Sequence, residues 1–263
     1  MGGQKDKERL TEKSHWDSIY GSVIEGKGSW KPQYYLDKLI DGMITEVIEK
    51  EHPKSVLEIG CGNSVWLPYI HEKYGVDIYG IDYSQRGVEL VKNKLEEKLK
   101  DNIFCIDFFD EEKMKSIPKV DMVYSLGVVE HFTNPFQVIS IYKELLNPGG
   151  VLLTEVPYIT GTIGKVCRFY QPQLYNMHVA HTEETLRNIY HRAGISCKKC
   201  QMIGHFTLDM VAWGVAPRFP HIDRLVQIGL KMFYRKNNKR VRDTPEDAAF
   251  IYIYGEKLVE GDK

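Results

Sequence analysis

No run of eighteen apolar residues occurs in the 263-residue chain, so nothing in it reads as a membrane-spanning helix. The opening stretch, Met1 to Lys13, is charged and polar and has no apolar h-region, so no secretory signal is expected. The formal net charge is only −1. A chain so balanced has no global field that would recruit nucleic acid. The five cysteines (Cys61, Cys105, Cys167, Cys197 and Cys200) are odd in number, and four of them fall in or beside apparent core segments. That excludes a disulfide framework and points to a reducing compartment, with the cytoplasm as the expected location. No internal repeat or low-complexity tract is visible, so solenoid and array architectures drop out.

What the chain does have is a change of period. Gln33 to Glu51 places Leu36, Leu39, Ile40, Met43, Ile44, Val47 and Ile48 at helical spacing, and Pro53 stops it. Short apolar runs then alternate with helical stretches. Strands are predicted over 55–59, 77–81, 103–106, 120–125 and 151–156. Helices are predicted over 64–74, 84–99 and 135–146, with Ser84 and Asn134 as caps and Pro135 in a first turn. Asn147-Pro148-Gly149-Gly150 reads as a tight turn. A looser aromatic stretch, 157–180, leads to a helix from Thr182 to Ala193. Strands over 195–203 and 250–254 close the pattern, separated by about 45 residues, which is long for a hairpin connection. This predicts an α/β fold with a doubly wound, mostly parallel seven-stranded sheet of Rossmann-like type. The expected organisation is an N-terminal helical cap over 1–52 and a main domain over 53–263. Residues 204–245 are expected to be a basic helical insertion or lid within that domain, with helices around Asp209–Trp213 and Ile222–Tyr234.

The chemistry concentrates at Val56-Leu57-Glu58-Ile59-Gly60-Cys61-Gly62-Asn63. A buried strand delivers a glycine turn to the start of a helix. Glycine lets backbone approach a ligand closely and adopt positive φ. In open α/β sheets ligands lie at the carboxyl ends of strands, near the switch in strand order. Asp82 ends the second strand, where a carboxylate can accept both hydroxyls of an adenosyl ribose. Asp107 follows the third strand and precedes Phe108 and Phe109. An acid there can accept from an adenine amino group, and an aromatic ring can pack on the base. A dinucleotide fingerprint would want a third glycine at position 65, where Val65 stands.

With these residues in place the chain resembles the class I S-adenosylmethionine-dependent methyltransferases. It is similar in particular to the small-molecule methyltransferases of quinone biosynthesis. The likeness runs through Val56–Gly62, Ile78–Ser84, Asp107, Asp121–Phe132, Leu145–Pro157 and the stretch from His181-Thr182-Glu183-Glu184-Thr185-Leu186 to Ala193-Gly194. In that family the last strand is antiparallel and lies between the fifth and sixth. The resemblance implies S-adenosylmethionine as cofactor. It implies that Glu58 orients the glycine turn or senses the methionine amino group. Gly60 and Gly62 would line the methionine part, Asp82 with its neighbour Tyr83 would hold the ribose side, Asp107 and Phe108 would hold adenine, and Leu126 would present backbone. The expected reaction is in-line displacement onto a small or carrier-bound acceptor, at oxygen. Ser125-Leu126-Gly127-Val128 replaces the Asn/Asp-Pro-Pro-aromatic pattern of enzymes that methylate exocyclic base amines, so nucleic acid is not the expected partner.

On the acceptor side the residues leave alternatives open. His131, after the fourth strand, is a candidate base, or else a brace for its loop. His178 and His181 are candidate acceptor contacts or surface residues, and Tyr158, Tyr170 and Tyr175 in the same stretch are candidates for the wall of the acceptor pocket. His178-x-x-His181 lacks a third ligand, so no metal site is expected. Cys197-x-x-Cys200 lies in a strand where alternation predicts opposite faces, and no second pair exists for zinc. Residues 218–242 hold eight Lys or Arg against one acid, Asp223. They read as a lid with a solvated basic face or as a peripheral membrane contact. The alternatives to a free acceptor are a non-catalytic S-adenosylmethionine-binding module and an enzyme of lipid or glycan carriers at a membrane surface. Acceptor identity and oligomeric state are not legible.

Overall fold

The computed structural model of the chain describes residues 9–23, 30–33, 35–205 and 245–258. Its strands are β1 (Ser55–Ile59), β2 (Asp77–Asp82), β3 (Ile103–Cys105), β4 (Val120–Leu126), β5 (Leu146–Pro157), β6 (Ile195–Ile203) and β7 (Phe250–Lys257). They form one sheet in the order β3-β2-β1-β4-β5-β7-β6. The first five pair in parallel, and β7 runs antiparallel between β5 and β6. This is the predicted sheet, including the place of its last strand. The chain winds outward from β1 to β3, then returns to lay β4 on the other side of β1. The reversal opens a crevice at the carboxyl ends of β1 and β4.

The helices are α1 (Lys13–Gly21), α2 (Tyr35–Glu51), α3 (Trp66–Tyr74), α4 (Gln85–Lys92), α5 (Glu111–Met114), α6 (Pro135–Glu144), α7 (Thr162–Tyr170), α8 (Pro172–Asn176) and α9 (Glu183–Arg192). Strand alternation sorts the core into two layers. Val56, Ile78, Met122 and Tyr124 pack with Met43, Ile44, Val47 and Ile48 of α2 and with Leu67 and Ile70 of α3. Leu57, Ile59 and Val123 pack with Val138, Ile139 and Tyr142 of α6 and with Leu186, Ile189 and Tyr190 of α9. Successive side chains of a strand point to opposite faces, so a continuous apolar run feeds both layers. The caps fall where the residue types put them. Ser84 accepts from the Gly87 N–H, Asn134 accepts from the Gln137 N–H ahead of Pro135, and Thr182 forms a reciprocal box with Thr185.

Four expectations need correction. The second predicted helix stops at Lys92, and a separate 3-10 turn covers Glu97–Asn102. Leu95 is buried between the two, so the chain bends to bury it before entering β3. Asn147–Gly150 does not precede β5 but lies within it. The register against β4 jumps from Val120↔Leu146 to Met122↔Val151, and the glycines absorb the irregularity. The stretch after β5 is not loose, because α7 and α8 occupy it. Finally, Cys197 and Cys200 share a face. A bulge between Cys197 and Lys199 pairs the cysteines with Gly255 and Ile253, two residues apart on β7. Arg187 donates to the Cys197 sulfur and to the Cys200 carbonyl. An inserted residue resets the alternation on which the prediction rested. Most of the expected insertion over 204–245, with both of its helices and the basic stretch 218–242, lies outside the described residues. Among the described residues no helix is long and apolar enough to cross a membrane.

Candidate active site

β1 ends by handing its backbone to β2: the Gly60 and Cys61 N–H groups both donate to the Ile81 carbonyl, at 2.8 and 3.1 Å. Gly60 has φ +78°, and a Cβ there would lie 2.5 Å from Val128 Cγ2. Both facts require glycine. Gly60→Ala is therefore expected to cost about 1–2 kcal/mol from the left-handed backbone alone, more if Val128 cannot yield, and to displace the turn. Thermal denaturation together with ligand titration checks this; parental values for both would show that the turn tolerates a side chain.

Two acids organise the turn from below. Asp82, at the tip of β2, accepts the Gly62 N–H on Oδ2 at 2.8 Å and the Ser84 N–H on Oδ1 at 2.7 Å. Burial pushes its carboxyl up to about 6, against the pull of those two donors. Glu58, inside β1, accepts the Ser64 hydroxyl at 2.6 Å and the Tyr124 hydroxyl at 2.9 Å. Its burial raises it to about 7. Beyond the glycines, Lys94 Nζ donates to the Asn63 carbonyl, its side-chain oxygen and the Ser64 carbonyl, at 2.7, 2.6 and 3.2 Å. The turn is thus fixed at both ends before any ligand arrives.

Above it lies a cavity of about 740 Å³, within the size range of small-molecule sites. Glu58, Gly60, Gly62, Asp82, Tyr83, Asp107, Phe108 and Leu126 all line it. All eight residues named from the sequence for cofactor contact therefore share one wall system. Asp107 accepts from the Phe109 N–H and is paired with the Arg9 guanidinium. That guanidinium lies over the rings of Tyr83, Phe109 and Phe132, at 5.0, 5.1 and 5.9 Å from their centroids. Phe108 lines the cavity and also packs on Phe109, Phe132 and Tyr142.

The far wall follows β4 and β5. Glu130 and His131 sit in the 3-10 turn Val129–His131 and line the cavity with Glu155 of β5 and His178. Glu130 and Glu155 are 2% and 3% exposed, and Glu130 Oε2 and Glu155 Oε1 have no hydrogen-bond partner. Burial raises Glu155 to about 8 and Glu130 well above the usual carboxylate range. His131 is lowered to about 4, first by burial and then by His178. Its Nδ1 is 2.8 Å from the Met177 carbonyl, so that nitrogen carries the proton and Nε2 is left as an acceptor.

Tyr158, Tyr175 and His181 do not line this cavity. Tyr158 packs against the core layer of α6 and α9. Tyr175 lies beneath the Arg168 guanidinium. His181 is 2% exposed and lowered to about 4 by burial. In their place the wall carries Pro157, Ile159, Cys167, Leu174 and Phe250. The residues that sequence reasoning missed come mainly from the N-terminal segment. Arg9, Trp16 and Tyr20 all line the cavity. Tyr20 lies against Gly62 and Gly87, and Trp16 stacks on Tyr20 and meets the His131 ring edge-on, 5.3 Å between centroids. Two aromatics embedded in a polar opening segment were the only signal.

Residues 57–152 match the family model described as "Methyltransferase domain". Among curated proteins, the ubiquinone biosynthesis O-methyltransferase of Actinobacillus pleuropneumoniae serotype 5b is 27% identical over 150 residues, covering 54% of this chain and 62% of that protein. That of Coxiella burnetii (strain Dugway 5J108-111) is 30% identical over 129 residues, covering 48% of this chain and 52% of that protein. The chain thus spans about half to three-fifths of the length of these relatives. Among solved structures, the [4+2]-cyclase SpnF superposes with a TM-score of 0.58 at 16% identity, covering 93% of this chain and 92% of that one. The plantazolicin methyltransferase BamL, in complex with a triazolic desmethylPZN analog and SAH, gives 0.55 at 17% identity, with 84% of each chain covered. At such identities the superpositions speak to the fold.

Proposed function

We propose that this chain, which carries a class I methyltransferase domain, binds S-adenosylmethionine in the crevice above Gly60–Gly62 and transfers its methyl group to an oxygen of a small or carrier-bound acceptor. The observation that carries the reading is the acidic rim of one cavity. Glu58, Asp82, Glu130 and Glu155 all line it, each from a strand end or the turn that follows, and the glycine turn sits beneath. Asp82 and Glu58, held near 6 and 7, are the two that ionise near neutrality and so complement a cation with a ribose diol, while Glu130 and Glu155, held higher by burial, mark the acceptor side. The bound cofactor supplies an electrophilic methyl on a positively charged sulfur.

The residues divide the work by position. Asp82 already holds two backbone N–H groups and lines the cavity, where hydroxyls of a ribose can donate to its remaining lone pairs. Glu58 acts through Ser64 and Tyr124 to keep the turn in shape. Tyr83, Phe108 and Asp107 form the base end, with Arg9 balancing the charge of Asp107. Trp16 and Tyr20 line the cavity from the N-terminal segment and add apolar wall to it, and a drier site favours displacement at a sulfonium because the leaving sulfur loses charge. Positioning is the main protein contribution, since the nucleophile must lie in line about 3 Å from the methyl carbon. His131 stands on the acceptor wall with Nε2 free to accept, which suits a base for a hydroxyl nucleophile. The sequence similarity to ubiquinone biosynthesis O-methyltransferases supports oxygen as the atom methylated. The cyclase among the structural neighbours is a reminder that this fold hosts more than one reaction.

The direct test incubates the purified chain with cofactor labelled at its methyl group and a metabolite extract, then identifies labelled products by mass. A labelled small molecule or carrier with new O–CH₃ is the expected result. Cofactor binding without any labelled product would leave a non-catalytic binding module; label on nitrogen or carbon would replace the oxygen assignment.

A further inference from the structure

We propose that Glu130, His131 and His178 form a binding site for one first-row divalent transition cation on the acceptor wall of the cavity. The proposal goes beyond methyl transfer and does not depend on it; in the metal-loaded protein His131 Nε2 is a ligand, and it serves as a base only in the metal-free protein.

The argument starts from donors and acceptors. His131 Nδ1 lies 2.8 Å from the Met177 carbonyl, and His178 Nδ1 lies 2.7 Å from the Leu174 carbonyl. A carbonyl only accepts, so each Nδ1 carries its ring's proton and each Nε2 presents a lone pair. The two rings lie against each other, with centroids 4.7 Å apart, and the Glu130 carboxyl stands beside them. Its Oε1 is 3.8 Å from His131 Nε2, and its Oε2 has no partner although the side chain is nearly sealed from solvent. The ligand atoms of the three residues all lie within 4.8 Å of one another. Two imidazole lone pairs therefore converge with a buried carboxyl whose Oε2 is left without a partner. Buried polar atoms are rarely left so, and a cation satisfies all three at once.

The site is also built. The Val179 N–H donates to the Glu130 carbonyl at 2.6 Å. With the His131–Met177 bond, this ties the turn after β4 to the segment after α8 on both sides of His178. Imidazoles that give their far N–H to a backbone carbonyl have the outer-shell arrangement that orients metal-binding histidines. Ligand bonds of about 2.0–2.2 Å at tetrahedral angles place ligand atoms about 3.4 Å apart, so closure draws these atoms, now within 4.8 Å of one another, together by about an ångström. Two imidazoles and one carboxylate suit zinc, manganese, iron or cobalt better than magnesium or calcium. Because the three ligands come from one wall, the open coordination positions face the cavity, where an oxygen of the acceptor would bind. The ligand class is thus an oxygen donor such as a hydroxyl.

The test uses the full chain after chelator treatment and gel filtration. Titration with Co²⁺ is expected to bind one equivalent and to give a visible d–d band, which Zn²⁺ displaces. His178→Ala, at a half-buried position, and Glu130→Gln are each expected to weaken Co²⁺ binding by at least about 100-fold, with circular dichroism and thermal midpoint monitoring the fold. No stoichiometric Co²⁺ or Zn²⁺ binding at 100 µM, about the weakest affinity a built site would show, overturns the proposal. So does unchanged affinity in a folded His178→Ala variant. Cofactor titration without metal is read separately, so failure here leaves the methyl-transfer reading standing, and failure there leaves this one.

Discussion

Asp82→Ala is expected to weaken S-adenosylmethionine binding at least about 100-fold while the chain still folds. A carboxylate offers about four lone-pair directions. Two are taken by the Gly62 and Ser84 N–H groups, at 2.8 and 2.7 Å, which fixes the side chain in a single orientation. Asp82 lines the cavity and is only 5% exposed, so bulk water does not compete freely for what remains. Hydrogen bonds to a charged group contribute about 1.5–3 kcal/mol each. Two ribose hydroxyls at the low end of that range give about 3 kcal/mol, hence the factor of about 100. The same substitution orphans two backbone donors, at about 1–3 kcal/mol apiece if nothing replaces the carboxylate. Water entering from the cavity can replace it, so the fold survives at a lower thermal midpoint. Asp82→Asn separates the two effects, because it keeps a carbonyl for one backbone donor and loses the charge. Isothermal titration with the cofactor reads the affinity, and circular dichroism reads the fold. A folded Asp82→Ala variant binding within threefold of the parent would remove Asp82 from the ligand.

The parts of this site that were legible are those encoded locally. The glycine turn, the acids at the tips of β2 and β3, and the caps Ser84 and Asn134 each depend on a few consecutive residues, and each stands where the sequence puts it. What escaped depends on distance along the chain. The Arg9–Asp107 pair joins residues 98 positions apart, and no periodicity within residues 9–21 reports a partner that remote. Glu155 carried a signal, a lone acid within the apolar run of β5, but alternation alone could not say that it faces a cavity. The acceptor histidines show the same limit. His178 and His181 look alike in sequence, yet only His178 reaches the wall, because α8 ends at Asn176 and Leu174 anchors its ring. The cysteine pair failed for another reason: one extra residue in a strand reverses every side chain beyond it, and nothing in Ser196-Cys197-Lys198-Lys199-Cys200 announces a bulge.

The second large effect is on pH. Cofactor affinity is expected to rise about tenfold between pH 5 and 7.5, with release of protons on binding. Asp82 is raised to about 6 and Glu58 to about 7, in both cases first by burial. For an acid whose folded value lies above its unfolded value, the folded chain holds the proton more tightly. Its contribution to stability is therefore fully present below the unfolded value near pH 4, and is lost as pH climbs through 6 and 7. The ligand-free protein should accordingly lose stability from these two groups over that window. Binding works in the opposite sense. A cationic ligand and a donating diol prefer ionised carboxylates, so they pull both values down and expel protons. At pH 5 a group titrating near 6 is ionised in about one molecule in eleven, which sets the tenfold scale for Asp82 alone. Glu155, held near 8, stays protonated through most of the window and contributes little to it. Titrations at pH 6.5 in buffers of different ionisation enthalpy count the released protons directly, and Asp82→Asn should remove the step that belongs to Asp82. A flat affinity from pH 5 to 7.5 with no proton release would mean that neither carboxyl meets the ligand, and the acidic rim would have to be explained by something other than a bound cation.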